Sequence, residues 1–261
     1  MTIPKHDLDD LKRAKQLLEN PGIAAKLSNM VGSPVEKGLK MLPSRMQSSV
    51  HKATEAALLR ALDIAVTSLG TAGPAKPSRD RLHTIAAAAS GAAGGAFGII
   101  ALAWELPIST TLMLRSIADI ATAEGENPRE LETKLACLTV FALGSTRSES
   151  DNATESGYFA ARAALASAVS EAAKHLAKKG LSKTGGPALV RLIALIGARF
   201  GVVVSEKAAA QAIPILGAAG GALINTVFIG HYQDMARGHF IVRRLEKTHG
   251  HEVIRRAYDR I

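Results

Sequence analysis

Apolar residues recur at helical spacing along most of this chain. Between residues 7 and 20, Leu8, Leu11, Leu17 and Leu18 alternate with Lys and Asp, the stripe of an amphipathic helix that Asn20, Pro21 and Gly22 bring to an end. In residues 23–43, Gly32, Pro34 and Pro43 leave room for two brief helical pieces with turns between them. Val50, Ala57, Leu58, Ala61, Leu62, Ala65 and Leu69 then mark a helix over residues 45–69, closed by Gly70.

A linker rich in Gly and Pro follows, and after it an uncharged run over residues 85–104 that Glu105, Leu106 and Pro107 are expected to break. Leu112, Ile117 and Ile120 mark a helix over residues 108–124. Asn127 then serves as N-cap and Pro128 as first position of a helix reaching Leu143. Past a polar loop, the spacing predicts helices over residues 159–179 and 188–212, the latter interrupted by Gly197 and Gly201, and a basic helical tail. Val202–Val204 is a β-branched cluster, but it lies inside a longer helical pattern. The expected fold is therefore all-α: a multi-helix bundle with two Gly/Ala-rich central helices and no significant sheet. Its divisions are residues 1–70 (amphipathic helices), 71–84 (linker) and 85–261 (core with basic tail), forming one compact unit.

The hexapeptide GAAGGA occurs at 91–96 and again at 217–222. Gly91 with Gly95, Gly94 with Gly98, and Gly217 with Gly221 place small residues four apart on a helix face, where backbones can approach closely. Each Gly costs about 1 kcal/mol in helix propensity, which tight contact must offset. Residues 85–104 and 212–230 are also long enough to span a bilayer, and basic residues outside both would give a two-span inner-membrane topology. Ala and Gly contribute little transfer energy, however, and Pro214 and Asn225 interrupt the second run. Burial within protein is the preferred expectation.

Composition sharpens this picture. Aromatics make up 4% of a chain that is 47% hydrophobic, so the core is expected to rest on closely approaching Ala, Leu, Ile and Val. A net charge of +9 favours an anionic partner. The single Cys137 excludes an internal disulfide and reads as a small buried hydrophobe. The N-terminus has mixed charges and no apolar signal core, so a cytoplasmic location is expected.

Candidate chemistry is sparse. No phosphate-binding glycine loop, dinucleotide fingerprint or nucleophile elbow occurs. Glu105 is either a buried carboxylate needing a partner, with Arg115 the nearest base beyond the turn, or a carboxylate favoured by a helix N-terminus. Arg115 and Asp119 suit an ordinary ion pair. Asn225, inside an apolar run, needs hydrogen bonds and reads as a tie between helices or a ligand contact. His231 and Asp234 share a helix face while His239 is displaced, a poor metal site, so no metal or cofactor is expected. In the tail, Arg237, Arg243, Arg244, Lys247, Arg255 and Arg256 surround apolar residues, as in a basic amphipathic helix that contacts an anionic membrane. Nucleic acid ranks behind it, because no reading motif accompanies the charges.

Three segments, MVGSPVEKGLKMLP, GAAGGAFGIIALAWELPISTTLMLRSIADIATAEGENP and AAAQAIPILGAAGGALINTVFIGHYQDMARGHFIVRRL, fall in an order and spacing that resembles the EcsC family. These are bacterial proteins named after a product encoded beside an ABC transporter. The resemblance covers nearly the whole chain; Glu105 stands where the commoner family residue is Asp, so acidity is kept. It implies an all-helical architecture associated with membranes or envelope transport and names no reaction. The leading expectation is a non-enzymatic protein, peripheral at the inner membrane, that binds or handles lipid or assists a transporter. The alternative is a hydrolase acting on a membrane-derived substrate through Glu105, His231 and Asp234.

Overall fold

The computed structural model describes residues 3–19, 23–31, 44–69, 102–144, 157–180, 186–211 and 217–261. Nine helices and no strand are found among the described residues: α1 (Lys5–Glu19), α2 (Ile23–Val31), α3 (Ser44–Ser68), α4 (Leu102–Ala123), α5 (Leu131–Leu143), α6 (Gly157–Lys179), α7 (Pro187–Gln211), α8 (Gly217–His249) and α9 (His251–Arg260). The fold is all-α, as the apolar periodicity predicts. α3 lies against α4 and α7, α7 also against α5 and α6, and α8 runs along α4 with α1 crossing its C-terminal half.

Two apolar cores result among the described residues. The larger one centres on Phe141, Phe200, Phe228 and Tyr232, whose rings meet at centroid distances of 5.1–6.1 Å. A smaller one gathers Leu11, Tyr158, Phe159, Leu245, Ile254 and Tyr258 from α1, α6, α8 and α9. The phenylalanines and tyrosines among the described residues are thus concentrated in two clusters where helices converge, which composition alone did not indicate. Tilted and edge-on ring pairs of this kind add about 0.5–1.5 kcal/mol each beyond their buried area.

Local expectations are corrected at four places. Glu105, Leu106 and Pro107 do not break the helix; α4 runs through them. Pro107 removes one backbone bond, but Leu106, Met113, Leu114 and Ile117 are fully buried along the same helix, and their burial outweighs a cost of about 3 kcal/mol. Asn127 does not cap α5. Its Oδ1 accepts from Arg129 N at 3.1 Å in a turn before the helix, and Glu130 holds the cap position. The tail is not one helix, because Gly250 at φ 88° turns the chain between α8 and α9. Nor do Gly197 and Gly201 interrupt α7, which passes through both.

Of the paired glycines, Gly217 opens α8 and Gly221 is buried within it. Gly91, Gly94, Gly95 and Gly98 lie outside the described residues, as does the 71–84 linker. Close approach is visible instead at Gly238, where an added Cβ would sit 2.6 Å from Leu18 Cγ and 3.0 Å from the Ala14 carbonyl of α1. Gly238→Ala is expected to lower unfolding free energy by about 1–3 kcal/mol in urea titrations. Gly230→Ala, where nothing lies within 4 Å, should be neutral or stabilising by up to about 1 kcal/mol. Equal effects at both positions would remove the close-approach account of Gly238.

Candidate functional site

Three features stand out from the bundle: a buried ionic triad, a cleft with a polar end, and an apolar helix face open to solvent. The triad joins α4, α7 and α8. Lys207 Nζ donates to both oxygens of Glu105 at 2.7 and 3.0 Å, and Asn225 Nδ2 donates to Glu105 Oε1 at 2.8 Å. The side chains of Lys207 and Glu105 are 0% and 1% exposed. Burial pulls the Lys207 ammonium below its ordinary pKa of 10.5, and the Glu105 carboxylate opposes that pull. The Phe228 ring adds a cation–π contact, 4.6 Å from Nζ to its centroid. Glu105 and Asn225 therefore come together as expected of buried polar groups, but Arg115 is exposed and the partner is Lys207. A signal for Lys207 existed: it continues the core phase of Phe200, Val203 and Val204 on α7.

His231 and Asp234 have separate engagements. His231 donates through Nε2 to the Gly144 carbonyl at 2.8 Å, and burial pulls its imidazole down to about 4. Asp234 pairs with Lys26 at 3.4 Å and Arg237 at 3.5 Å. His231 lies six residues beyond Asn225 on α8, about 9 Å along the axis and on another face, so Glu105, His231 and Asp234 share no pocket. Among the described residues, no group of His, Cys, Asp and Glu has the arrangement to hold a metal ion. Cys137 is fully buried, with its thiol pushed up to about 12.

The basic tail is bound largely to the bundle itself. Arg243 donates to Glu126 at 3.0 Å and Glu132 at 2.9 Å; Arg244 meets Glu124 at 2.9 Å and Asp10 at 2.7 Å; Lys247 meets Glu126 at 2.9 Å. Its apolar residues Phe240, Ile241, Leu245, Ile254 and Tyr258 are buried. Arg256 is exposed, and Arg255 lines the cleft.

That cleft, of about 450 Å³, opens between α5, α6, α8 and α9. Leu135, Ala136, Leu165 and Val169 form its apolar wall, with Arg162, Arg243 and His239 at the polar end. Arg162 grips Glu246 with two bonds of 2.8 and 2.9 Å and donates to the Tyr158 hydroxyl at 3.2 Å. That hydroxyl lies 3.0 Å from His239 Nδ1. Burial, with Arg162 and Arg243 nearby, holds His239 neutral by pulling it well below its ordinary pKa.

The third feature is α7. Among the described helices it is the one long and apolar enough to cross a membrane by length and composition, yet only 39% of its apolar window is buried. Val190, Leu195 and Val202 are 55%, 37% and 46% exposed, with Pro187, Ala194 and Ala198 exposed on the same side. The charge among these positions, Arg191, pairs with Glu171 at 3.4 Å. Exposed Lys178 and Lys179 end α6, the helix that precedes α7.

No curated protein and no solved structure matches this chain. The family model described as the EcsC protein family matches residues 5–245, from the first turn of α1 almost to the end of α8. A match over nearly the whole length carries one conclusion: the chain belongs to the EcsC family.

Proposed function

We propose that this protein binds peripherally to anionic membranes by laying the exposed face of α7 into the head-group region, and that it handles lipid there. The single observation behind this reading is the uncovered apolar face of a helix whose other side is deeply built in. Leu192, Ile193, Ile196 and Phe200 are buried against the bundle while Val190, Leu195 and Val202 face outward. Such a helix lies on a bilayer rather than through it, since spanning would strip Phe200 and its neighbours from the core. Each outward residue gains a fraction of the roughly 1.5–3 kcal/mol of full burial. Lys178 and Lys179 add about 1 kcal/mol each near anionic lipid, which points to the cytoplasmic leaflet.

This shifts the expected contact away from the tail. Most tail charges have internal carboxylate partners, whereas α7 and the neighbouring lysines remain accessible. The hydrolase alternative gains no support from Glu105, His231 and Asp234, because each is engaged elsewhere.

Flotation with protein-free vesicles tests the reading. The protein should rise with phosphatidylglycerol-containing vesicles, less so at high salt, and the double variant Leu195→Glu, Val202→Glu should stay at the bottom while remaining folded. Wild type that fails to float, or a double variant that floats equally well, would remove α7 as the membrane contact. A wild type that fails to float would also turn attention to a protein partner such as a transporter.

A further inference from the structure

His239, which lines the cleft between α5, α6, α8 and α9, carries a buried ring nitrogen with no hydrogen-bond partner among the described residues. Arg162 donates to the Tyr158 hydroxyl, and a guanidinium can only donate, so the Tyr158 oxygen accepts there. The same oxygen is 3.0 Å from His239 Nδ1. Were the imidazole proton on Nδ1, the Tyr158 O–H would lose its acceptor and Nε2 would keep an unmatched lone pair. With Tyr158 donating to Nδ1, only the Nε2–H is left unmatched. One unmet buried group is better than two, so the proton sits on Nε2. His239 is 3% exposed, and its Nε2 has no hydrogen-bond partner among the described residues.

We infer that the cleft binds an acyl group, with its carbonyl oxygen accepting from His239 Nε2–H and its alkyl chain lying along Leu135, Ala136, Leu165 and Val169. A volume of about 450 Å³ is in the usual range for a small-molecule site, and one fixed donor beside an apolar wall is the chemistry that orients such a ligand. The polar end does not favour phosphate. Of the three arginines that line the cleft, Arg162 is held by Glu246, Arg243 by Glu126 and Glu132, and Arg255 is engaged as well, so none offers a free guanidinium. A carbonyl needs only the donor that is spare. Acyl esters of lipids offer that carbonyl, as do fatty acids bound in their protonated, neutral form, and the inference does not depend on the α7 membrane contact.

The test uses the purified full-length chain without vesicles, with cis-parinaric acid as fluorescent probe. Palmitate, methyl palmitate and hexadecane are compared as competitors. Displacement by palmitate and methyl palmitate assigns the site to acyl esters as well as acids; displacement by palmitate alone assigns it to free acids. His239→Phe, which keeps a ring but removes the donor, should weaken palmitate about tenfold. Val169→Trp, which fills the cleft from its partly exposed wall, should abolish binding. The inference is overturned by a wild type that does not bind the probe or by hexadecane competing as well as palmitate. It is equally overturned by wild-type affinity in Val169→Trp, or in His239→Phe that circular dichroism shows to be folded.

Discussion

Lys207→Met is expected to lower the unfolding free energy by about 3–5 kcal/mol, the usual cost of leaving one member of a buried ion pair without the other. The methionine fills much of the lysine's volume, so lost packing contributes little. What remains is the Glu105 carboxylate, 1% exposed, with Asn225 as its remaining neighbour among the bonds described and no cation. Native domains hold only about 5–15 kcal/mol in total, so this one change removes a large share. Adding Glu105→Gln should recover most of the loss, because a neutral amide needs no counter-charge and still bonds to Asn225. Urea titrations of both single variants and the double give the coupling directly. A double variant that loses as much as the sum of the singles would show that the pair is not a lock between α4 and α7.

Arg243→Glu is expected to cost about 3 kcal/mol or more, far beyond the effect of an ordinary surface charge. Its guanidinium satisfies Glu126, whose side chain is 2% exposed and also bonds to Lys247 and to Thr133. Reversal sets a carboxylate against that one and against Glu132. Burial alone would raise the Glu126 carboxyl, but hydrogen bonds from Arg243 and Lys247 hold it below the ordinary 4.5. The stabilisation this provides is fully present above the unfolded value of 4.5 and is lost as pH falls through the lower folded value. The deficit of Arg243→Glu relative to wild type should therefore be widest near neutral pH and narrow in acid, where protonation removes the repulsion. Arg256→Glu, at an exposed position of α9, should stay within about 0.5 kcal/mol of wild type. Equal midpoints for the two variants across pH 3–7 would mean that the Arg243 contacts do not hold the tail.

These two cases divide what local pattern can reveal from what it cannot. Helix spacing placed residues 159–179 and 188–212 within two residues of α6 (Gly157–Lys179) and α7 (Pro187–Gln211), because side chains three and four apart share a face whatever the rest of the chain does. The same logic misread Glu105 to Pro107, where propensity pointed to a break and burial of Leu106 prevailed. It also marked Glu105 and Asn225 as needing partners and looked nearby, at Arg115. The true partner of Glu105 lies 102 positions further on. The Tyr158–His239 contact spans 81 positions, and the cleft it borders is made by four helices with no common motif.

Helical class, the bounds of α6 and α7, family and the excess of positive charge were thus legible in the chain alone. Which charges remain open to a partner, and where a cavity forms, was decided only when the helices came together. The reason is range: periodicity and capping act over a few residues, whereas an ion pair or a cleft is set by crossing geometry between elements far apart in sequence. The basic tail makes the point: its arginines are read directly from the chain, whereas the pairing of Arg243 with Glu126 and of Arg244 with Glu124 and Asp10 belongs to the tertiary structure alone.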